Sequence, residues 1–503
     1  MAVMLDHPPL IQRIVAHPAI RSGYTSIVVH LAVLIALALP WIDRRAPPRP
    51  RPIVITTAEA IVADEPEAPG EAEVVLPGPP DRQGPAEAIF ADVAAPEPDL
   101  QPPELPPEPE PLLTSPLADI VPVADGPVAM RPMALTRHVA APRPAAQVAS
   151  AEAVAAALVG REGAARAAAV RGRGGSAASE AAVERGLAWL ARHQAADGSW
   201  RFDLSGCQCN GGCRNPGDVP STTAATGIAL LPFLGAGHTQ SAGDYRETVN
   251  RGLYYLMSQI QPTPRGGDLS EGSMYGQGVA TLALAEALGM TRDDMLVGPV
   301  RDAVKFIVTA QDAYGGGWRY LPGQAGDTTV TAWQLAALKS AAMAGIEVPS
   351  PTFDGVCRFL DRVAAPGGEA YGYQSPQARE CTSAIGLLCR MYTGWDQAEA
   401  IDRGLAALAK PGPVPQEIYM NFYLAQALLQ RDHPAWPAWN GRNRDQLVAC
   451  QATVGHEAGS WFVPEAPHTA SSGRLGHTAL AVLTLEVYYR LLPIYGYDAV
   501  AGF

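Results

Sequence analysis

A sequence unit that recurs roughly every 50 residues constrains the fold of this chain more than any other feature. Its clearest copy, residues 185–200, reads Arg-Gly-x-x-Trp-Leu-x-x-x-Gln-x-x-x-Gly-x-Trp, and a Gln, a Gly-rich turn and a Trp return in residues 311–318 and 451–461. Each copy predicts an amphipathic helix, a turn and a second helix that is apolar on all sides and has to be buried. Six such pairs predict an all-α fold, an (α/α)6 toroid over residues 179–497.

This unit resembles the QW repeat of squalene and oxidosqualene cyclases, whose toroid fold is shared by the β subunits of protein prenyltransferases. Residues 180–495 as a whole resemble the prenyltransferase and squalene oxidase repeat proteins common in planctomycete-type bacteria. The resemblance implies a central apolar cavity that holds an isoprenoid or another elongated lipid. We expect the tryptophans beside the Gly-rich turns to tie neighbouring helix pairs together.

The inner helices of such a toroid run the same way, so their N-termini meet at one rim. Their free N–H groups and positive dipole ends favour an anionic head group or a reacting centre at this mouth. We expect the rim and the cavity to be lined by Thr222, Tyr275, Gln277, Thr328, Trp333, Cys381, Tyr419, Asn421 and Arg474.

A possible catalytic acid is Asp327. Squalene-type cyclases protonate an alkene with an Asp in an Asp-x-Asp-Asp-Thr-Ala motif, and the nearest match here is Gln-Ala-Gly-Asp-Thr-Thr at residues 324–329. Gly326 stands where the proton-donating Asp would be, which argues against class II cyclisation. Asp327 therefore has two interpretations, a catalytic acid or the N-cap of the helix that begins at Thr328.

The resemblance also implies a zinc site, because protein prenyltransferases hold zinc with an Asp, a Cys and a His. His477 resembles the ligand His of that family, and Cys381 opens another inner helix. The Asp-x-Cys spacing of the family is missing, because residue 379 is Arg. His477 is thus either a catalytic or zinc-binding residue or an ordinary hydrogen-bonded histidine.

A second metal candidate is the cluster Cys207-x-Cys209-x-x-x-Cys213, with His193 nearby in sequence. Three thiols are soft ligands that suit zinc, although structural zinc sites usually have four protein ligands. The alternatives are a local disulfide that leaves one odd thiol, or three free thiols.

An apolar stretch over residues 24–42, after an N-terminal segment 1–23, reaches about the 20 residues that span a bilayer. With Ser26 and His30 inside it and a Pro/Glu-rich stretch after it, residues 20–115 resemble the anchoring end of TonB-type proteins. That resemblance implies contact of Ser26 and His30 with an inner-membrane, proton-driven motor, and a periplasmic C-terminal domain. The four arginines between residues 44 and 51 argue for the opposite orientation by the positive-inside rule.

Residues 43–148 are predicted to be a disordered linker, and residues 149–178 an Ala-rich helix and hinge. From residue 59 to residue 119 the chain has 15 acidic residues and one basic residue, and such acidic, Pro-rich segments bury too little apolar surface to fold. The net charge of −13 argues against nucleic acid as a partner.

Three functions follow from these features. The first is a toroid anchored in the inner membrane that binds an elongated apolar ligand or a peptide in its cavity without cyclising it. The second is an isoprenoid-processing enzyme with a non-standard site, and the third is a scaffold of the cell envelope. A cavity lined by apolar residues without paired carboxylates favours the first over the second.

Overall fold

Six pairs of helices form a double ring in the computed structural model, which describes Arg161 and residues 163–490. The outer helices are α2 (Ala177–Arg192), α4 (Arg246–Gln259), α6 (Asp294–Thr309), α8 (Ser350–Val363), α10 (Ala398–Ala409) and α12 (Trp436–Cys450). The inner helices are α3 (Thr222–Gly235), α5 (Met274–Thr291), α7 (Thr328–Met343), α9 (Glu380–Tyr392), α11 (Ile418–Gln430) and α13 (Gly473–Leu485). Helices α1 (Gly163–Arg173) and α14 (Val487–Arg490), a short 3-10 turn (Ala470–Ser472) and an antiparallel hairpin of β1 (Gln261–Thr263) and β2 (Gly266–Asp268) complete the described part.

The ring is closed. Each inner helix packs against the inner helices before and after it, and α13 packs against α3. The inner helices are buried along their length, as in α5, where every residue from Met274 to Gly289 is buried. This arrangement agrees with the all-α toroid predicted from the repeat, and it puts the apolar helices inside.

Three of the six inner helices, α3, α5 and α7, begin with a side chain that accepts a backbone N–H group of the first turn. The Ser221 hydroxyl accepts the Ala224 N–H at the start of α3, and a carboxylate oxygen of Asp327 accepts the Val330 N–H at the start of α7. A cap of this kind stabilises a helix by about 1 kcal/mol.

Neighbouring repeats are joined by the recurring Gln. The Gln194 side-chain amide donates to the Thr248 carbonyl on α4, and Gln311 donates to the Thr352 carbonyl on α8, each at 2.9 Å. In the last repeat Gln451 donates to the Ala182 carbonyl on α2, also at 2.9 Å, so the sixth pair is joined to the first.

The recurring Trp makes its hydrogen bonds within its own repeat. The Trp200 indole N–H donates to the Leu190 carbonyl at the end of α2, and its backbone N–H donates to the Thr226 hydroxyl on α3. Trp318 and Trp461 make the same pair of bonds in their repeats. All three are buried, and the rings of Trp200 and Trp461 lie against Gly252 and Gly186 on the outer helix of the next pair, so the expectation that they tie neighbouring helix pairs together is confirmed for these two.

The contact between the loop 201–221 and residues 451–478, which we call the ring seam, joins the first repeat to the last. Arg214 forms an ion pair with Glu457 at 2.9 Å, and Arg474 donates to the Asn215 side-chain oxygen at 2.9 Å. The Asp218 N–H donates to the Ser471 carbonyl. These bonds connect residues more than 200 positions apart and complete the closure made by Gln451.

The predicted membrane helix 24–42 with Ser26 and His30, the segment 1–23 and the linker 43–148 all lie outside the described residues. Of the helices in residues 161 and 163–490, none combines the length and the hydropathy that crossing a bilayer requires. The predicted hinge after residue 170 is helical up to Arg173, and the α1 segment packs on α14.

Candidate functional site

The centre of the ring is occupied by aromatic side chains. Trp333 on α7 stacks on Phe422 of α11 with ring centroids 6.1 Å apart, and its indole N–H donates to the Tyr419 hydroxyl at 2.8 Å. Tyr423 lies edge-on to Trp333. Because α7 and α11 are not neighbours in the ring, these contacts cross its interior, and we refer to Trp333, Tyr419, Phe422 and Tyr423 as the aromatic plug.

The aromatic plug leaves a cavity of about 30 Å³, lined by residues from α5, α7, α9, α11 and α14. That volume is about the share of one water molecule in the liquid. Pockets for drug-sized ligands are roughly tenfold larger or more. The apolar cavity predicted for an elongated ligand is therefore filled by the chain's own side chains.

The mouth at the C-terminal ends of the inner helices is covered by buried ion pairs. Arg490 contacts Glu286 at 2.5 Å, and Arg161 contacts the other oxygen of Glu286 at 3.3 Å. Arg161 also donates to the Leu234 carbonyl at the end of α3, where a positive charge complements the helix dipole. Sequence reasoning missed this group, because Arg161 precedes the repeats and no spacing connects it with residues 286 and 490.

The opposite mouth, where the inner helices begin, carries carboxylates of the chain itself. Glu271 accepts hydrogen bonds from the Thr223 N–H at 2.9 Å and the Thr222 hydroxyl at 2.7 Å, so it occupies the N-terminus of α3. Asp327 occupies the N-terminus of α7 in the same way. The anionic group that the sequence predicts at this mouth is thus supplied internally at two of the six helices.

Asp327 is fully buried and caps α7. Burial raises the pKa of Asp327 to about 6, against hydrogen bonds from the Val330 N–H and from the Thr329 and Tyr373 hydroxyls and the charge of Arg319, which lower it. An alkene is a very weak base, so its protonation needs a strong acid, and burial here makes Asp327 a weaker one. The geometry therefore matches the cap interpretation.

Gly326 has no room for any side chain. A Cβ atom at this position would lie 2.7 Å from the Cα atom of Gly317 and 2.9 Å from the backbone N of Trp318. The backbone packing of this turn therefore excludes an Asp at position 326, where the cyclase motif has its acid. Fitting one would require the segments around Gly317 and Gly326 to separate.

His477 is enclosed by hydrogen bonds. Its Nδ1 atom accepts the Val463 N–H at 3.0 Å, and its Nε2 atom lies 2.7 Å from the Thr469 hydroxyl. Burial lowers the pKa of His477 to about 4, so the ring is neutral. Within residues 161 and 163–490, neither His477 nor Cys381 belongs to a group of three ligand atoms suited to a metal.

The other predicted rim residues separate into two sets. Thr222 and Tyr275 lie at the mouth, where Tyr275 contacts the Thr329 hydroxyl, whereas Trp333 and Tyr419 lie in the aromatic plug. Four residues do not line the central cavity, because their polar atoms bond to adjacent loops: Gln277 to Leu269 and Gly267, Thr328 to Gly372, Asn421 to Val414, and Arg474 to Arg214 and Asn215. Helical spacing alone does not separate the two sets.

An Arg–Tyr cluster at the mouth was also missed. Arg319 lies over the rings of Tyr320 and Tyr373, whose hydroxyls are 3.0 Å apart. The Arg319 guanidinium also lies 3.9 Å from Asp327. Its sequence signal is weak, since Arg319 and Tyr320 simply follow the recurring Trp318.

The cysteine cluster is brought together with His193. The ligand atoms of His193, Cys209 and Cys213 all lie within 4.8 Å of one another, and the three residues are buried. The His193 Nε2 atom lies 3.3 Å from the Cys213 sulfur. Of the three alternatives for Cys207, Cys209 and Cys213, the local disulfide is not present, because all three are free thiols.

Burial at this cluster favours the neutral imidazole of His193 and the protonated thiols of Cys207 and Cys213. Burial lowers the pKa of His193 to about 4 and raises the pKa of Cys213 to about 11. Burial also raises the pKa of Cys207, with a contribution from the neighbouring Cys209.

Comparisons with known proteins give remote likenesses. No protein-family model and no curated protein matches the chain. Two solved structures similar to it are inactive variants of an α-1,6-mannanase from Salegentibacter sp. HEL1_6. The complex with α-1,6-mannotriose has 8% identity and a TM-score of 0.43, and the complex with α-1,6-mannotetrose has 10% identity and a TM-score of 0.45. Each match covers 62% of this chain and 99% of the mannanase chain. A third is a variant of the type II terpene cyclase MstE from Scytonema with merosterolic acid A, at 12% identity and a TM-score of 0.40. This match covers 62% of this chain and 96% of the cyclase chain.

Proposed function

We propose that the protein is a scaffold of the cell envelope, in which a closed toroid docks another protein and the interior of the ring is a packed core. The observation that carries this proposal is the aromatic plug, which leaves about 30 Å³ at the centre of the ring. An elongated isoprenoid would have to displace Trp333 and Tyr419 to enter, breaking their hydrogen bond and exposing buried aromatic surface.

The residues that would carry isoprenoid chemistry support the same conclusion. Gly326 stands where the cyclase acid would be, and burial weakens the acidity of Asp327. Both ring nitrogens of His477 have hydrogen-bond partners within the protein. A scaffold needs none of these groups to react.

The tether is the second part of the proposal, and it rests on the sequence. The predicted anchor 24–42, with Ser26 and His30 facing a motor-type partner, would hold the protein in the inner membrane. The Pro-rich, acidic linker 43–148 would then let the toroid reach a partner in the periplasm.

The docking surface is the rim at which the inner helices begin. Three exposed apolar side chains lie on the turns that lead into α7 and α13: Tyr314, Leu321 and Val454. Met295 is equally exposed but lies at the start of the outer helix α6, at the opposite rim. The two rims therefore provide a matched comparison.

Site-specific photocrosslinking in cells tests the docking. A photoreactive amino acid at Tyr314, Leu321 or Val454 should give one discrete crosslinked partner, and the same amino acid at Met295 should not. Equal crosslinking from both rims, or none from either, would refute a docking rim. Native mass spectrometry of the full chain tests the packed core, and a co-purified stoichiometric lipid would overturn it.

A further inference from the structure

We propose that His193, Cys207, Cys209 and Cys213 bind one structural zinc ion, which fastens the loop between α2 and α3 at the ring seam. Three thiolates and an imidazole form a Cys3His set, one of the usual ligand sets of structural zinc. None of the four ligands is Tyr314, Leu321 or Val454, so metal analysis tests this proposal separately from the crosslinking that tests the docking rim.

The distances suit a tetrahedral ion. Zinc–sulfur bonds of about 2.3 Å and zinc–nitrogen bonds of about 2.0 Å separate two ligand atoms by roughly 3.5 to 3.8 Å at the tetrahedral angle. His193, Cys209 and Cys213 already have their ligand atoms within 4.8 Å of one another, and the Nε2 atom of His193 is 3.3 Å from the Cys213 sulfur. Small side-chain rotations bring all three to bonding distance of one point.

The orientation of His193 is already that of a ligand. Its Nδ1 atom lies 2.7 Å from the Trp189 carbonyl oxygen, which can only accept, so Nδ1 carries the proton. The Nε2 atom, with its lone pair, then points to the cysteines. Metal-binding histidines are typically fixed by such a hydrogen bond from the other ring nitrogen. The His193 ring also stacks on the Trp189 indole at 3.8 Å, which limits its rotation.

The loop supports the sulfur atoms from its backbone. The Cys213 N–H donates to the Cys209 sulfur at 3.1 Å, a bond that favours a thiolate at this position. Cys207 lies beside Cys209 but outside the group of three ligand atoms, and its thiol donates to the Leu204 carbonyl at 3.2 Å, so its side chain has to turn toward the ion to provide the fourth sulfur. Binding zinc as a thiolate would break this bond, because the thiol proton that the Leu204 carbonyl accepts is released.

The charge of the site is compensated locally. Zinc with three thiolates and a neutral imidazole carries a net charge of about −1. Arg474 on α13 places a positive charge near Cys213. The same guanidinium donates to the Arg214 carbonyl, one residue after Cys213, and to the Asn215 side chain.

The position of the site gives the ion a structural role. The loop that would hold it makes the ring-seam contacts from Arg214 to Glu457 and from Asp218 to Ser471. Ordering this loop around an ion therefore stabilises the contact of the first repeat with the last. Removing the ion should loosen both sides of the ring seam and leave distant repeats unchanged.

Metal analysis of the full-length chain, purified without chelator under reducing conditions, tests the proposal. We expect one zinc per chain and, after exchange for cobalt, the thiolate-to-cobalt charge-transfer and intense d–d absorption of a tetrahedral site. Cys209→Ser, Cys213→Ser and His193→Ala should each lose this spectrum, as should Cys207→Ser. Cys450→Ser, at an exposed cysteine of α12, is the matched control and should keep it.

A chelated wild-type sample keeps the test decisive if a variant fails to fold. Adding zinc to it should raise the melting temperature, by an amount that grows with free zinc concentration. Amide hydrogen exchange should slow in residues 201–221 and 451–478 and stay unchanged in α8. No zinc and no cobalt charge-transfer band would overturn the proposal, and a spectrum that survives Cys207→Ser would contradict the four-ligand site.

Discussion

Replacing Asp327 by asparagine should remove a pH-dependent loss in the free energy of unfolding. Asn retains a side-chain oxygen that accepts the Val330 N–H, and it is as good an N-cap as Asp. It has no charge to bury. The substitution therefore separates the helix cap, which persists, from the buried carboxylate, which does not.

The magnitude follows from the pKa of Asp327, which is raised from 3.8 to about 6 by burial. Because the folded state holds the proton more tightly than the unfolded state, the carboxyl costs no stability well below pH 3.8. Its cost grows as the pH rises and reaches roughly 3 kcal/mol above pH 6, from about 2 pKa units at ~1.36 kcal/mol each. Between pH 4 and pH 7.5 the wild type should lose about 2.5 kcal/mol relative to Asp327→Asn.

Urea unfolding followed by circular dichroism at both pH values measures this difference. Asp293→Asn is the matched control, because Asp293 caps the outer helix α6 by accepting the Met295 N–H at a half-exposed position. It measures what exchanging Asp for Asn does at a helix cap that is not fully buried. If Asp327→Asn and the wild type show the same pH dependence, the carboxyl is ionised without penalty in the fold, and the argument that burial weakens this acid fails.

Five further substitutions test the packing and one buried carboxyl. Trp333→Ala should cost about 3–5 kcal/mol, measured by urea unfolding, because it removes the centre of the aromatic plug; a cost below 1 kcal/mol would show that the ring interior is not a packed core. Gly326→Ala should lower the melting temperature, whereas Gly298→Ala, in an open helical position, should raise stability by up to ~1 kcal/mol. Gln451→Leu should cost about 1–3 kcal/mol, because it removes the bonds that the Gln451 side chain donates to the Ala182 and Gly459 carbonyls and the bond that it accepts from Arg185. Because burial raises the pKa of Glu486, Glu486→Gln should raise the melting temperature at pH 7 and not at pH 4.

The sequence was sufficient to predict the ring but not its contents. The Gln and Trp recur in three repeats, where the Gln bonds to the outer helix of the next repeat and the Trp bonds to both helices of its own, and this regularity is visible in one chain. What fills the interior depends on which side chains meet across the ring, as Trp333 and Phe422 do, and no local pattern encodes contacts between non-adjacent helices.

For the candidate sites, too, the sequence does not show which groups a side chain contacts in the fold. A histidine at a helix start looks alike in sequence whether it is open to a metal or, as His477 is, bonded through both ring nitrogens. The cysteine spacing indicated a metal site, but its partner His193 comes from the end of the preceding helix, and only the fold brings its Nε2 atom to Cys213.

The bond from Gln451 to Ala182 has a consequence for how the protein unfolds. In an open array of repeats, the terminal units have one neighbour each, so they fray first and melting spreads inward. Here every repeat has two neighbours, and no unit is a natural starting point. Unfolding should therefore be a single cooperative transition, and breaking any one interface between repeats should convert the ring into an open array whose new ends melt before its middle.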